Sequence, residues 1–453
     1  MATSIGRKRH AGVRARRNRE LFNKEAEMYT KGYEAGYVEG SASGKVGYGN
    51  YFEGTSIIIP SYNQAEYLKS CIDSIVQHTH IPYEIIVVDN ASTDGTAAYL
   101  QEAKGKIRFH IMEENRGFSS AVNRGMMMAK GQTLLLLNND TLVTQNWLDN
   151  MLAALASDER IGMVGPVTNY ISGDQCIKEP YDSIDDMWEF ARQNNVSDTT
   201  KWQFVDRLVG FCLLFRRNLF HQTGYFDEGY LVGNYEDEDF NIRVRLQGLR
   251  LVIARDSFIH HFGSVSMKEL GERFEAINNH NEKYYMQKWR NPHGLIAQVH
   301  QLNTNDDRSN ASDSSPMGES IFYPQHVAVC GLGATVYWVE NNQRHPVEGE
   351  IAMPVTRLSQ IDLQRWPIGS AVHADDVHRK WRGEEGVDGQ VAAGADGNLY
   401  WLEAGTKRRI VSDTAAEAWG ADKKSVAQSN AEHLSELVEG LPVIAPVRLA
   451  QRL

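Results

Sequence analysis

Between Ser56 and Leu137, four strand-length apolar runs alternate with segments of helical pattern, and this alternation limits the possible folds more than any other feature. The runs are Ser56–Pro60, Glu84–Asp89, Arg108–Met112 and Thr133–Leu137, each rich in Ile, Val or Leu or closely following that pattern. Runs without polar alternation suit strands covered on both faces, as in a parallel sheet. Between the first two, QAEYLKSCIDSIVQHT sets Leu68, Cys71, Ile72, Ile75 and Val76 at helical spacing, which predicts an amphipathic helix on the sheet. A second helix is expected from Ser92 or Thr93, whose hydroxyls suit an N-cap, and a third from Phe118 to Lys130, stopped by Gly131. The resulting order predicts a doubly wound, mostly parallel α/β sheet.

Ligands of such sheets bind in the crevice outside the carboxyl ends of the strands. Here the four runs end in Pro60-Ser61-Tyr62-Asn63, in Asp89-Asn90-Ala91-Ser92-Thr93-Asp94-Gly95, in Asn115-Arg116-Gly117-Phe118 and in Asn138-Asn139-Asp140. Any one of these alone reads as an ordinary turn. Four in succession point to a site.

The segments IIIPSYN (Ile57–Asn63), VVDNASTDGT (Val87–Thr96), ENRGFSSAVNRG (Glu114–Gly125), LLNNDT (Leu136–Thr141) and YEDEDF (Tyr235–Phe240) together resemble the inverting glycosyltransferases of family 2, the rhamnosyltransferase-like members above all. The resemblance runs from Gly54 to about His300 and implies a GT-A type fold with a nucleoside diphosphate sugar as donor. It implies that Pro60, Tyr62 and Asp89 meet the base and ribose, and that Arg116 and Asn123 hold the base edge or phosphates. Asp140 falls on the metal-binding last position of a DxD-like motif. Asn138 replaces the first Asp of that motif, so Asn138 and Asn139 are left to hydrogen-bond the donor. The family's later metal-binding histidine lands on His261, with His260 as the near rival. Gly210 and Phe211 match a stretch bordering the acceptor pocket, Trp202 offers an aromatic face for a sugar, and Glu236 binds the acceptor or steadies the base.

The chemistry asks for the same residue types. Sugar transfer builds negative charge on the departing diphosphate, which a divalent ion neutralises. A carboxylate such as Asp140 suits Mg²⁺ or Mn²⁺, and an imidazole ligand widens the choice toward Mn²⁺. The acceptor hydroxyl must lose a proton to a carboxylate, and Asp237 is the candidate base. It stands in an acidic run before a helix expected over Asp239–Gln247, where the helix dipole favours its ionised form and Asp239 pairs with Arg243. A nucleotidyltransferase would need a Gly-rich, basic loop after the first strand, where this chain has Ser61-Tyr62-Asn63-Gln64. A glycoside hydrolase would not need the nucleotide-type strand ends. The remaining alternative is a non-catalytic carbohydrate-binding or surface-assembly protein carrying a relic GT-A domain.

At 453 residues the chain should divide into domains. The expected division is a basic, Gly/Tyr-repeat extension over 1–52, the GT-A domain over 53–301, a polar linker over 302–320 and a small β-rich duplicated module over 321–453. The duplication is read from ATVYWVENNQRHPV (Ala334–Val347) against GNLYWLEAGTKRRIV (Gly397–Val411). The absence of a bilayer-length apolar run and of a signal-peptide core predicts a cytoplasmic protein. Cys71, Cys176, Cys212 and Cys330 lack disulfide or metal spacing and are expected as buried small hydrophobes. Net charge is -11, yet residues 1–20 carry seven Arg and Lys against Glu20, which leaves peripheral contact with anionic membrane at its inner face open. Expected partners are a UDP- or dTDP-sugar and a glycan, lipid-linked or protein acceptor, with no specific nucleic acid.

Overall fold

The computed structural model describes residues 49–450 apart from 104, 106, 179–180, 264–270, 272, 306–317 and 428–430. Most of the N-terminal extension and of the expected linker therefore lies outside the described residues.

The first strands and helices appear in the expected order: β1 Phe52–Ser61, α1 Ala65–His78, β2 Tyr83–Asp89, α2 Thr96–Glu102, β3 Arg108–Ile111, α3 Gly117–Met128 and β4 Gly131–Leu137. They continue through β5 Thr141–Val143, α4 Trp147–Ala156, β6 Ile161–Thr168, α5 Ile184–Asn194, β7 Trp202–Val205, β8 Cys212–Arg216, α6 Arg217–Thr223, α7 Glu236–Leu246 and β9 Arg250–His261. Two further helices follow, α8 Arg273–Trp289 and α9 Pro292–Asn305. Among the described residues the strands make one sheet ordered β3-β2-β1-β4-β8-β6-β9-β5, with β7 on β9. β1, β2 and β3 pair in parallel, and β8 enters antiparallel to both β4 and β6.

The apolar runs are explained by the two faces of this sheet. Ile58, Leu134 and Leu136 belong to one core, while Ile57, Ile59, Leu135 and Leu137 belong to the other. Strand side chains alternate between faces, so a run buried on both sides must be apolar throughout. Helix α1 buries Leu68, Cys71, Ile72 and Ile75 as expected, but Val76 is 60% exposed and lies off the stripe.

Three expected helix starts move. Helix α2 begins at Thr96 because the Ser92 hydroxyl is taken by the Asp89 carboxylate, while Asp94 accepts from the Thr96 N–H at 2.9 Å. Helix α3 begins at Gly117 and ends at Met128, before Lys130. Helix α7 begins at Glu236, three residues before the expected Asp239, so the whole acidic run lies in its first turn.

Beyond the linker, two small sheets repeat one topology. The first, β13-β10-β11-β12-β14, contains β10 Val327–Cys330, β11 Val336–Glu340, β12 Gln343–Glu348, β13 Val355–Arg357 and β14 Val372–His373. The second, β18-β15-β16-β17-β19, contains β15 Val391–Ala393, β16 Leu399–Glu403, β17 Thr406–Arg409, β18 Val426–Ala427 and β19 Val438–Glu439. Both central hairpins turn on two left-handed residues, Asn341-Asn342 and Ala404-Gly405, the geometry that matches strand twist in a two-residue turn.

These sheets do not stand apart in packing. Their Val327, Trp366, Trp401, Trp419 and Ile444 share one core with Ile242 and Leu246 of α7, Trp289 of α8, and Leu295, Ile296 and Val299 of α9. The buried Arg243 of α7 pairs with the buried Glu319 at 3.0 Å. Of the four cysteines, all free, Cys71 and Cys212 are buried, while Cys176 is exposed against expectation. Among the described residues no helix is long and apolar enough to cross a membrane.

Candidate active site

A cavity of about 1490 Å³ opens where the carboxyl ends of β1, β2 and β4 meet the head of α7 and the first turns of α8. It is lined by Pro60, Tyr62, Arg116, Asn138, Asn139, Asp140, Gly210, Glu236, Asp237 and His261 among the residues expected from sequence. Trp202, Asn123 and Asp89 do not line it.

The expected metal pair is assembled by strand pairing. Asp140 leads into β5, β5 runs antiparallel to β9, and this register sets Thr141 opposite His261. The Phe262 N–H then donates to the Asp140 carbonyl at 3.0 Å. Asp140 Oδ1 comes to lie 3.2 Å from His261 Nε2, both side chains being buried. His261 Nδ1 is 2.8 Å from the Tyr170 carbonyl oxygen, which can only accept, so the ring proton sits on Nδ1. Nε2 faces the carboxylate oxygen of Asp140 and makes no hydrogen bond among the described residues. A carboxylate and an imidazole nitrogen 3.2 Å apart are placed to share one divalent cation, and this donor set fits Mn²⁺ or Mg²⁺. The ring is stacked on Phe211 at 5.5 Å and 14°. His260, on the opposite face of the strand, has its Nδ1 2.9 Å from the Tyr181 hydroxyl. Among the described residues no group of three or more His, Cys, Asp and Glu forms a metal cage. Ions of this kind keep waters and take phosphate oxygens for the rest of their shell.

Across the cavity, Asp237 Oδ2 accepts the Gly210 N–H at 2.8 Å and Oδ1 accepts the Glu238 N–H at 2.9 Å. A Cβ at Gly210 would sit 3.2 Å from the Asp237 Cβ, a tight contact that would push on the carboxylate. Burial raises the Asp237 pKa, opposed chiefly by the Arg207 charge. The expectation that its helix-terminal place favours ionisation is therefore met by an opposing desolvation, and the net direction is upward. Burial and the neighbouring Asp237 push Glu236 up to about 8, and its Oε2 has no hydrogen-bond partner among the described residues. Glu238 pairs with Arg207 at 3.0 Å, and Asp239 turns away to Arg243 at 2.9 Å and Lys288 at 2.7 Å.

At the β2 end of the cavity Asn90 locks the Arg116 loop. Its amide donates to Asn115 Oδ1 at 2.9 Å and the Gly117 carbonyl at 3.0 Å, and its Oδ1 accepts the Arg116 N–H at 2.9 Å. The Arg116 side chain pairs with Glu114 and stays 40% exposed. Asn139 reaches Ser61 Oγ at 3.2 Å.

Two expected site residues serve the frame instead. Asn123 holds the Phe226 backbone on both sides, donating to its carbonyl at 2.9 Å and accepting its N–H at 2.8 Å. Trp202 sits in β7 opposite Ala254, its indole N–H donating to Asp256 at 3.2 Å. Asp89 is fully buried, bound to the Ser92 N–H at 3.2 Å and to the Ser92 hydroxyl, and burial raises its pKa.

Sequence reading missed Asn169 and Tyr170. Asn169 fixes the His261 backbone, accepting its N–H at 2.8 Å and donating to its carbonyl at 3.1 Å, while Tyr170 sets the ring. Their signal was present: they follow the apolar run Ile161–Thr168, another strand ending in polar residues.

Residues 56–224 match Glycosyl transferase family 2. This stretch is a family 2 glycosyltransferase domain. The match ends at Gly224, so the acidic head of α7 and His261 lie beyond it. Over 238 residues, 46% of the chain, it is 26% identical to the chondroitin synthase of Pasteurella multocida (strain Pm70). Over 227 residues, 47% of the chain, it is 28% identical to the glycosyltransferase AglE of Haloferax volcanii. The alignments span 24% of the synthase and 70% of AglE. A looser likeness, with TM-score 0.36 at 20% identity over 57% of this chain and 76% of the other, is to the mannosyltransferase PcManGT from Pyrobaculum calidifontis.

Proposed function

We propose that this protein is a metal-dependent, inverting glycosyltransferase of hexosyl type that moves a sugar from a UDP- or dTDP-sugar to a hydroxyl of a glycan, lipid or protein acceptor. The observation that carries the reading is the 3.2 Å approach of His261 Nε2 to the Asp140 carboxylate, in the same cavity as the buried acids of α7.

Asp140 and His261 hold the divalent ion, whose chemistry is to neutralise the departing diphosphate. The Arg116 loop and Tyr62 bind the donor. Asp237, its two oxygens oriented by the Gly210 and Glu238 N–H groups, accepts the acceptor's proton as the new glycosidic C–O bond forms and the bond to phosphate breaks. Attack from the face opposite the diphosphate inverts the anomeric carbon. Glu236, protonated near neutrality, donates a hydrogen bond to the acceptor. A cytoplasmic place, at the inner face of the membrane through the basic N-terminus, belongs to the same reading and rests on the sequence alone.

The test is a screen of UDP-, dTDP- and GDP-sugars with Mn²⁺ and with Mg²⁺, read by thermal shift and by release of the nucleoside diphosphate. Metal-dependent release by the full chain, lost in Asp140→Ala and with EDTA, is expected. Full release in Asp140→Ala or in excess EDTA sinks the metal assignment. Sugar binding without release or transfer would favour the carbohydrate-binding alternative.

A further inference from the structure

The segment Leu231–Tyr235 joins the two halves of the cavity and is held in a conformation its residues resist. Val232, Asn234 and Tyr235 have φ of 58°, 79° and 74°. A left-handed β-branched residue is a genuine outlier, and such strain persists only where the surroundings impose it. On one side the Val232 carbonyl accepts the Phe118 N–H at 2.7 Å, beside the Arg116 loop. On the other side Tyr235 is the N-cap of α7, immediately before Glu236 and Asp237. The segment thus touches the donor loop at one end and carries the candidate base at the other.

The Gly233 N–H donates to the Leu231 carbonyl at 2.6 Å within the segment, and one buried side chain braces it from outside. Asn281 of α8, fully buried, accepts the Leu231 N–H at 2.8 Å and donates to the carbonyls of Leu231 at 2.9 Å, Gly233 at 2.8 Å and Asn234 at 3.1 Å. Arg273, Ile277 and Asn278, which line the cavity, share its helix face. Four backbone groups converging on a single buried amide make it the clamp for a segment that no regular element stabilises.

We infer that Asn281 is a positioning residue for sugar transfer: by fixing Leu231–Asn234 it holds the donor loop and the carboxylates of α7 in register. The role rests on the transferase reading of the cavity. A misplacement of about 1 Å at a reacting centre can cost 10²-fold in rate, whereas the groups that bind the donor remain in Asn281 variants. The loss should fall on kcat and leave donor KM within a few-fold of wild type.

The experiment uses the full chain, wild type and Asn281→Ala, Asn281→Ser and Asn281→Asp. Wild type is first tested for binding of UDP, dTDP and GDP with Mn²⁺; no binding to any of them overturns the transferase reading itself. With binding established, each soluble variant is expected to show kcat about 10²-fold lower at nearly unchanged donor KM, measured well below its melting temperature. Hydrogen exchange should quicken in peptides covering 117–118 and 231–235 and stay unchanged in β1 and β4. Adding Val232→Gly, which accepts a left-handed φ without steric cost, should recover part of the lost kcat of Asn281→Ala. Wild-type kcat in any soluble variant, or a lowered melting temperature with kcat and local exchange unchanged, overturns the role of Asn281 and leaves the transferase reading intact.

Discussion

Asp237 illustrates how a carboxylate is both oriented and kept basic. Two N–H donors fix its oxygens, burial raises its pKa, and the Arg207 charge opposes the rise. Asp237→Asn should cut turnover by about 10²- to 10⁴-fold with donor affinity nearly unchanged. Wild-type turnover in Asp237→Asn, or a product keeping the donor's anomeric configuration, would count against it. In the proposed role of base, Asp237 would work only when deprotonated, so activity should be lost as pH falls through its pKa. Arg207→Ala should therefore move the acid limb of kcat/KM to higher pH, and an unmoved limb would assign that limb to another group. Glu236 bears on stability with the sign set by its raised pKa. Below about 4.5 it is protonated in both folded and unfolded chains. Between 4.5 and about 8 the unfolded chain has released a proton that the folded chain retains, so stability falls as pH rises through that window and levels off above it. Glu236→Gln should flatten the fall when melting temperature is measured across pH without metal.

At the scale of elements, the cavity is made by strand ends and by one helix head. Helix α7 starts at Glu236 because left-handed Tyr235 delivers the chain there, and its first-turn acids lie at the favourable end of the helix dipole. The strand-end acids and amides were legible because they interrupt apolar runs at each carboxyl end. The helix starts were less so, since the Ser92 hydroxyl could cap α2 or bind Asp89, and only the folded turn decided between them. Gly117 is the point where the Arg116 loop and the 231–235 segment touch. Its φ is 84°, and a Cβ would approach the Val232 N at 3.0 Å. Gly117→Ala should therefore cost about 1–3 kcal/mol of stability and weaken nucleoside diphosphate binding. Calorimetric unfolding and titration would measure both, and an unaltered affinity would separate this loop from the donor site.

For the whole molecule, residues 321–453 complete a core that α7, α8 and α9 begin. Removing them would uncover Ile242, Leu246, Trp289, Leu295, Ile296 and Val299, all buried. At about 1.5–3 kcal/mol for each large apolar side chain, the loss rivals the 5–15 kcal/mol by which domains are stable. A chain ending near Asn305, within the linker expected over 302–320, should be insoluble or melt far below the full chain. Soluble expression with an unchanged melting temperature would restore the modular view. Glu319→Gln tests the same interface at one bond, because breaking a buried ion pair costs about 3–5 kcal/mol.

The α/β alternation, the two-faced burial of the strands, the polar strand ends and the duplicated hairpins were all determined by sequence, because each depends on side chains within a few residues of one another. The neighbourhood of Asp140 and His261 depended on the β5–β9 register, which no local period encodes. Folding likewise assigned Asn123 to the Phe226 backbone, Trp202 to Asp256 and Asn281 to the 231–235 segment. An amide or indole N–H finds its partner among groups far away along the chain, and only the tertiary structure decides which of them it meets.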